Sequence, residues 1–240
     1  MSPATSGTFP WPPEGAQLTA TAYVRTGPRG ARRHGGAEPG GRCTGPRQPS
    51  DTGQAGTKAL LPALTEQGQV DLAFAVATQR TYPSWGYWVD NGATTLWEAW
   101  ETNTRSRDHA FLGSIEGWLY RELAGIKPAA PGYARIAIRP HLPAGLDHVS
   151  ASVRTVRGTV ASRWDKPDSG LRLAVTIPAN AMAQVSIPAT SPDDVTEGQR
   201  PATEAEGVRF VRMDGDRAVF DVGSGTYHVG TELSTPTVPG

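Results

Sequence analysis

The 240-residue sequence predicts a multidomain α and β protein in which a helical region precedes an antiparallel β-sandwich. Two hydrophobic patterns carry this prediction. Apolar residues recur at a spacing of about 3.6 between residues 57 and 124, and at a spacing of about two beyond residue 131. A chain of this length also suits two domains of ordinary size, each able to bury a core.

The N-terminal segment from residue 25 to residue 56 has a different composition. It lacks Val, Ile, Leu, Met, Phe, Tyr and Trp but contains nine glycines and four prolines. Such a segment cannot offset its ordering entropy by burial, which predicts a disordered linker or tail within residues 1–56. Its six arginines would suit a nucleic-acid-binding arm. Aromatic residues for base stacking are absent, so we favour the linker.

The helical region begins with TKALLPALTEQGQVDLAFAVATQR, which predicts two short helices broken near Gly68. A loop rich in Gly and Pro follows, after which TTLWEAWE is expected to start another helix. A further helix is expected from Asp108 to Ala124, with Asp108 as N-cap and Gly125 at C′. Its apolar stripe would comprise Phe111, Ile115, Trp118 and Leu119.

Beyond residue 131 the alternation predicts eight short strands of a β-sandwich domain, residues 131–232, followed by a tail at 233–240. The eight segments are ARIAIRP, HVSASVRTV, TVASRW, LRLAVTIP, AQVSIP, GVRFVRM, RAVFDVG and TYHVG. Four alternating residues of the fourth segment are expected on one buried face: Leu171, Leu173, Val175 and Ile177. Val185 and Ile187 are expected on the inner face of another strand. The boundary with the helical domain, residues 57–130, is expected near GIKPAAPGY.

Charge and cysteine content limit the partners. Lys plus Arg and Asp plus Glu both number 23, so no global field would recruit nucleic acid or an anionic membrane. The single cysteine, Cys43, has no companion for a disulfide or a zinc site, and we expect no metal and no cofactor. Neither a signal peptide nor a long apolar run is visible, so a cytoplasmic location is expected.

The stretch TYPSWGYWVDNGATTLWEAW, residues 81–100, holds four of the seven tryptophans. It could be a core segment, a binding surface for a flat ligand, or the floor of an active site. Indole and phenol faces stack on the C–H faces of sugars, and nearby carboxylates accept hydroxyl hydrogen bonds. The composition therefore favours a carbohydrate cleft, since no phosphate-binding glycine loop and no HExxH pair appears.

Glu98 is the candidate catalytic carboxylate of this stretch, because glycoside hydrolysis needs carboxyl groups at the scissile bond. The alternative is structural: Thr95-x-x-Glu98 matches a capping box, in which Glu98 would only bond back to the Thr95 backbone. The nearby tryptophans and His109 favour chemistry, although His109 also suits a solvent-facing first helical turn. Asp90 and Glu101 are further candidates, but Asp90 has the sequence context of a turn residue, and neither displaces Glu98.

These motifs resemble the C-terminal part of bacterial α-L-rhamnosidases, glycoside hydrolase family 78, from about Gly56 to Val229. The resemblance rests on YPSWGYW with GATTLWE, then DHAFLGSIEGWLYRELAGI and IAIRPHLP. It implies the last helices of an (α/α)6 toroid followed by a β-sandwich. It also implies hydrolysis of terminal α-L-rhamnose with inversion.

Residue by residue, the resemblance implies Glu98 as general base and His109 as a sugar contact. Trp85, Trp88 and Trp97 would form the aromatic wall of a rhamnose pocket, with Asp90 beside them. The implied partner is a rhamnose-containing glycoside or oligosaccharide, and the oligomeric state stays open.

One part of the family pattern is absent from the sequence. Nothing resembles CPQRDERLGWTGD, which carries the family's general acid, so little or no turnover is expected from this chain alone. Residues 25–56 would then be a misframed or faulty junction within a longer gene. Two alternatives stay open: a non-catalytic carbohydrate-binding or accessory module, and a chain without an evolved function that aggregates through its apolar helix faces.

Overall fold

The structure, a computed structural model, describes residues 23 to 25, 53 to 167 and 170 to 231. It divides the chain into two compact units, one of residues 26 to 115 and one of residues 116 to 240 together with the first 25. The predicted disordered linker at 25 to 56 lies outside the described residues except at its ends, where the prediction was wrong: Arg25 is in a strand and residues 53 to 56 are helical. The predicted tail lies wholly outside the described residues. The domain limits inferred from the sequence stay predictions.

The first unit begins with three helices: α1 Gly53–Glu66, α2 Val70–Ala77 and α3 Trp85–Asp90. The predicted break near Gly68 is present, because Gly68 has a φ of +76° and lies at the C′ position of α1. The Gly68 N–H donates to Thr65 O at 3.0 Å and the Gln69 N–H donates to Leu64 O at 2.8 Å. This pair of bonds is a Schellman motif, which ends α1 by satisfying its last carbonyls.

Two helix predictions were wrong. Residues 95 to 101 are not helical, and within this stretch the Glu98 N–H and the Leu96 carbonyl bond to residues 106 and 109 instead. The helix expected from Asp108 to Ala124 is reduced to α4, Ser114–Trp118, followed by a π-helical turn at Leu119–Leu123. Among the described residues, no helix has the length and apolar character needed to cross a bilayer.

The second unit is a two-sheet β-sandwich. Its strands are β1 Tyr23–Arg25, β2 Ile126–Pro128, β3 Arg135–Ile138, β4 His148–Thr155, β5 Gly158–Asp165, β6 Leu171–Ile177, β7 Met182–Pro188, β8 Val195–Glu197, β9 Arg200–Pro201, β10 Val208–Asp214, β11 Arg217–Val222 and β12 Gly225–Thr231. The sheets have the orders β1-β4-β5-β6-β12-β8-β9 and β10-β11-β7-β3-β2. All eight predicted segments are strands. The prediction missed β1, β2, β8 and β9, which have only two or three residues each.

The sandwich core follows the alternation of the sequence. The four residues expected on one face of β6 are all at most 2% exposed, and Val185 and Ile187 on β7 are fully buried. Strand β11 is buried at every position, as suits a central strand. One pair departs from the antiparallel prediction, because β3 runs parallel to β7.

Two side chains of β5 hold the end of the π-helical turn. The Trp164 indole N–H donates to Leu123 O at 2.7 Å, and the Ser162 hydroxyl donates to Ala124 O at 2.7 Å. Helix ends leave carbonyls without an intrahelical partner, and burial without a bond would be costly. These bonds fix where the chain enters β2. Gly125 turns the backbone there with a φ of +77°.

Candidate active site

The four tryptophans of residues 81 to 100 form the core of the first unit. All four are buried, with exposures between 2% and 6%. The Trp88 ring centroid lies 4.8 Å from that of Trp100 and 5.8 Å from that of Trp97, and Trp85 meets Trp100 edge-on at 5.3 Å. Contacts of this kind stabilise aromatic pairs beyond their buried area. The burial of these rings agrees with the first interpretation of this stretch, a core segment. Their contact with a sugar stays a prediction.

Helix α3 sets Trp85 and Trp88 on one side. Ser84 is its N-cap, because the Ser84 hydroxyl accepts the Tyr87 N–H at 3.0 Å. Residues three apart on a helix lie on the same face, so both indoles point to the same core. Trp88 Nε1 donates to Trp100 O at 3.1 Å and Trp85 Nε1 donates to Leu112 O at 2.8 Å.

Glu98 and His109 lie on two backbone segments that bond to each other. The Glu98 N–H donates to Ser106 O at 3.0 Å, and the His109 N–H donates to Leu96 O at 2.8 Å. The Ser106 N–H donates to Oε2 of Glu98 at 3.3 Å. The structure therefore places Glu98 and His109 on neighbouring segments, and their roles as base and sugar contact stay predictions.

The capping-box interpretation of Glu98 was wrong. No helix starts at Thr95, and its hydroxyl donates to the Arg107 carbonyl rather than to a helical N–H. The Glu98 carboxylate accepts a hydrogen bond from Ser106 on the opposite segment. The sequence pattern of a capping box was present, but pairing with residues 106 to 109 used the backbone groups that a helix would need.

Trp97 and Glu98 differ in burial although they are neighbours in the chain. Trp97 is 3% exposed, whereas Glu98 is half-buried. The Arg107 guanidinium carbon lies 5.1 Å from the Trp97 ring centroid, and its Nη2 donates to Thr102 O at 3.0 Å. Trp97 thus anchors the segment in the core while Glu98 stays accessible to water.

Asp90 is engaged by a neighbouring side chain. It lies at the end of α3 and forms an exposed ion pair with Arg80, whose Nε donates to Oδ2 at 3.0 Å. The hydroxyl of Tyr82 donates to Oε1 of Glu101 at 3.2 Å, so this second carboxylate also has a side-chain partner. The assignment of Asp90 to sugar binding stays a prediction.

His109 is half-buried and contacts an exposed ring. The Phe111 N–H donates to Nδ1 of His109 at 3.3 Å, and the two ring centroids are 4.1 Å apart. Phe111 was predicted in the buried stripe of a helix, but it is 55% exposed. Gly113, a residue of low helix propensity, lies within the predicted helix, and a Cβ there would lie 2.7 Å from the Leu96 side chain.

This arrangement can bind a neutral polar ligand and act on water. A half-buried carboxylate can accept a proton from water, and the imidazole on the neighbouring segment can exchange hydrogen bonds with hydroxyls. Within the described ranges, no three His, Cys, Asp or Glu side chains lie close enough together to hold a metal.

Comparison with known families divides the chain in two. Residues 43–123 match the bacterial alpha-L-rhamnosidase 6 hairpin glycosidase domain, and residues 125–201 match the bacterial alpha-L-rhamnosidase C-terminal domain. An alpha-L-rhamnosidase of Streptomyces avermitilis is 38% identical over 188 residues, which are 73% of this chain and 17% of that protein. One from Formosa agariphila is 31% identical, over 76% of this chain and 21% of that protein.

Solved structures give the same likeness. The Streptomyces avermitilis alpha-L-rhamnosidase complexed with L-rhamnose has a TM-score of 0.67 and 36% identity, covering 75% of this chain and 18% of that one. The alpha-L-rhamnosidase from Dictyoglumus thermophilum has a TM-score of 0.67 and 32% identity, covering 76% of this chain and 21% of that one. The chain thus spans about a fifth of the length of the relatives it matches.

Proposed function

We infer that this chain, whose parts belong to the six-hairpin glycosidase and C-terminal domain families of bacterial α-L-rhamnosidases, contributes the general-base side of a site that hydrolyses α-L-rhamnosides. The observation that carries this proposal is the backbone pairing that places Glu98 on the segment bonded to that of His109. The similar proteins are named α-L-rhamnosidases, and one of them was solved with L-rhamnose.

In the proposed reaction, Glu98 takes a proton from a water molecule that attacks the anomeric carbon with inversion. The Ser106 N–H bonds to Oε2 and so holds the carboxylate in one orientation during this transfer. His109 binds a hydroxyl of the sugar. The leaving oxygen needs a proton from a general acid, which must come from outside this sequence, because no stretch in it resembles the family's acid segment.

A segment exchange tests the role of Glu98. Residues 57 to 231 of this chain would replace the matching segment of the Streptomyces avermitilis relative, and release of an aryl group from an aryl α-L-rhamnoside would be measured. Removal of a general base costs on the order of 100-fold or more in rate, so Glu98→Gln is expected to abolish most of the turnover.

The matched control is Glu101→Gln, the same change three residues away at an exposed carboxylate. It is expected to leave turnover within about twofold. Equal rates for Glu98 and Glu98→Gln in an active hybrid would contradict the proposed role. Rapid release of the aryl group by the 240-residue chain alone would contradict the proposal that the general acid comes from outside this sequence.

The alternative, sugar binding by the sandwich, has less support. Trp164 and Phe220 are at most 1% exposed and Tyr227 is 9% exposed. In the described part of the sandwich, the large apolar side chains that are exposed are Val156 and Met182, neither of which is aromatic. Tyr133 and Phe210 are half-buried, so no aromatic side chain in the described part of the sandwich is exposed as a platform for a sugar ring.

A further inference from the structure

We propose that Phe111 is a sugar-contacting residue of this site, and that its backbone sets the tautomer of His109. The inference rests on the proposed function, because it adds a residue to the same rhamnoside site. It starts from the disagreement between the sequence pattern, which predicts Phe111 in a helical core stripe, and its exposure of 55%.

The two contacts of Phe111 reach the same imidazole. Its ring lies edge-to-face with His109 at 4.1 Å between centroids and 68° between planes, and its N–H donates to Nδ1 at 3.3 Å. In a neutral imidazole one nitrogen carries the hydrogen and the other accepts. Because Nδ1 accepts the Phe111 N–H, the hydrogen lies on Nε2, and His109 offers Nε2–H as a donor to a hydroxyl oxygen.

An exposed phenyl group beside a fixed donor suits a 6-deoxyhexose. Such a sugar has hydroxyls for the donor and a methyl group and C–H faces for the ring. Covering an exposed aromatic ring with an apolar edge removes both from water, which favours binding. A polar sugar without an apolar edge would gain less from this pair.

The other exposed aromatic ring of this unit fits less well. Tyr82 is 52% exposed, packs edge-on against Tyr87 at 5.3 Å and bonds through its hydroxyl to Glu101. Phe111 contacts His109 directly through both its ring and its N–H, so it is the better candidate.

Titration of the 240-residue chain with methyl α-L-rhamnopyranoside, followed by tryptophan fluorescence, tests the contact. Loss of one aromatic contact changes affinity by about tenfold, so Phe111→Ala is expected to bind about tenfold more weakly and Phe111→Tyr about as well as the parent. Val156→Ala, a truncation of an 84% exposed residue in the sandwich, is the matched control and is expected to have no effect.

The tautomer is measured separately, by the imidazole ¹⁵N shifts of His109 assigned with His109→Gln. A protonated Nε2 and an unprotonated Nδ1 are expected in the parent. The same pattern is expected in Phe111→Ala, which keeps the backbone N–H, and it shows that the site is still folded. The opposite tautomer would overturn the role of the Phe111 backbone.

The binding outcomes separate this inference from the function on which it rests. If the parent binds the sugar and Phe111→Ala binds it equally well, the Phe111 contact is overturned and the proposed function stands. The same holds if Tyr82→Ala weakens binding while Phe111→Ala does not. If the folded parent chain does not bind the sugar at all, this inference is overturned, whereas the proposed function is decided by the Glu98→Gln comparison in the hybrid enzyme.

Discussion

Glu98 and Ser106 are joined by two hydrogen bonds in opposite directions. The Glu98 N–H donates to the Ser106 carbonyl at 3.0 Å, and the Ser106 N–H donates to the Glu98 carboxylate at 3.3 Å. The first bond fixes the position of the backbone and the second fixes the side chain. A base held in this way loses little further freedom when it meets its water molecule.

Ser106→Pro is expected to lower the turnover of the hybrid enzyme described above by about fivefold, because it deletes a hydrogen bond that contributes about 1 kcal/mol to the orientation of the carboxylate. The measurement is kcat on an aryl α-L-rhamnoside. Ser106→Ala keeps the N–H and is expected to stay within about twofold. Equal losses in both variants would assign the effect to the serine hydroxyl instead.

Trp88→Ala is expected to destabilise the helical unit by about 3–5 kcal/mol, because it removes the ring that contacts both Trp97 and Trp100 and leaves a cavity. Trp88 is 2% exposed and donates to Trp100 O, so its loss also leaves that carbonyl without its side-chain partner. Urea unfolding followed by tryptophan fluorescence checks this. Val89→Ala, at a neighbouring residue 61% exposed, should cost less than about 0.5 kcal/mol.

The sandwich is expected to lose stability as the pH falls below about 6.5, because of His141. Burial lowers the pKa of His141; Glu122 raises it, and Arg217, Lys127 and Arg139 lower it further. Above the unfolded pKa both states are neutral at this residue. Below it the unfolded chain binds a proton that the folded unit resists, so the free energy of unfolding falls by up to about 1.4 kcal/mol per pH unit until the folded pKa is reached.

Hydrogen exchange of the β7 and β11 amides at about pH 7.5 and about pH 5.5 measures this change in the sandwich alone. His141→Gln is expected to flatten the pH dependence. His228→Gln, at an exposed position on β12, is the control and should leave it unchanged. A pH dependence that is the same in His141→Gln and in the parent would contradict the assignment.

Gly125→Ala is expected to destabilise the sandwich by several kcal/mol. Two costs add at this position: a φ of +77°, and a Cβ that would lie 2.3 Å from Pro140 N and 2.4 Å from Arg139 C. Gly145 has nearly the same φ, +79°, with no atom within 4 Å of an added Cβ. Gly145→Ala therefore measures the backbone cost alone, about 1–2 kcal/mol. If thermal unfolding shows the same loss of stability for Gly125→Ala and Gly145→Ala, the backbone at residues 139 and 140 has moved to accommodate the added Cβ at residue 125.

The sequence predicted the regular parts of the fold because single-segment patterns determine them. The break at Gly68 and the face of β6 from Leu171 to Ile177 follow from local conformational preference and alternation. The pairing of β3 with β7 joins residues more than forty positions apart, and it is parallel. Local patterns contain no information on such a pairing, so the direction of β3 could not be predicted.

The site was only partly predictable. Glu98 and His109 were selected from composition and resemblance, and the structure places them on bonded segments. The helices expected around both residues were wrong: Trp97 and Trp100 pack onto Trp88, and the Glu98 N–H and the Leu96 carbonyl bond to residues 106 and 109 instead of to helical partners. Tertiary packing overrides helix propensity here. Phe111 is exposed for the same reason, because the helix that would have buried it does not form.

The order of strands in the sandwich has a consequence for aggregation. Strand β12 lies between β6 and β8, and β11 lies between β10 and β7. Both follow residue 201, where the match to the C-terminal domain family ends. Without them β6 and β7 would present open rows of N–H and C=O groups beside large apolar side chains, which is a template for other chains to add to. Residues 202 to 231 thus protect β6 and β7, which lie within the family match, from pairing with other chains.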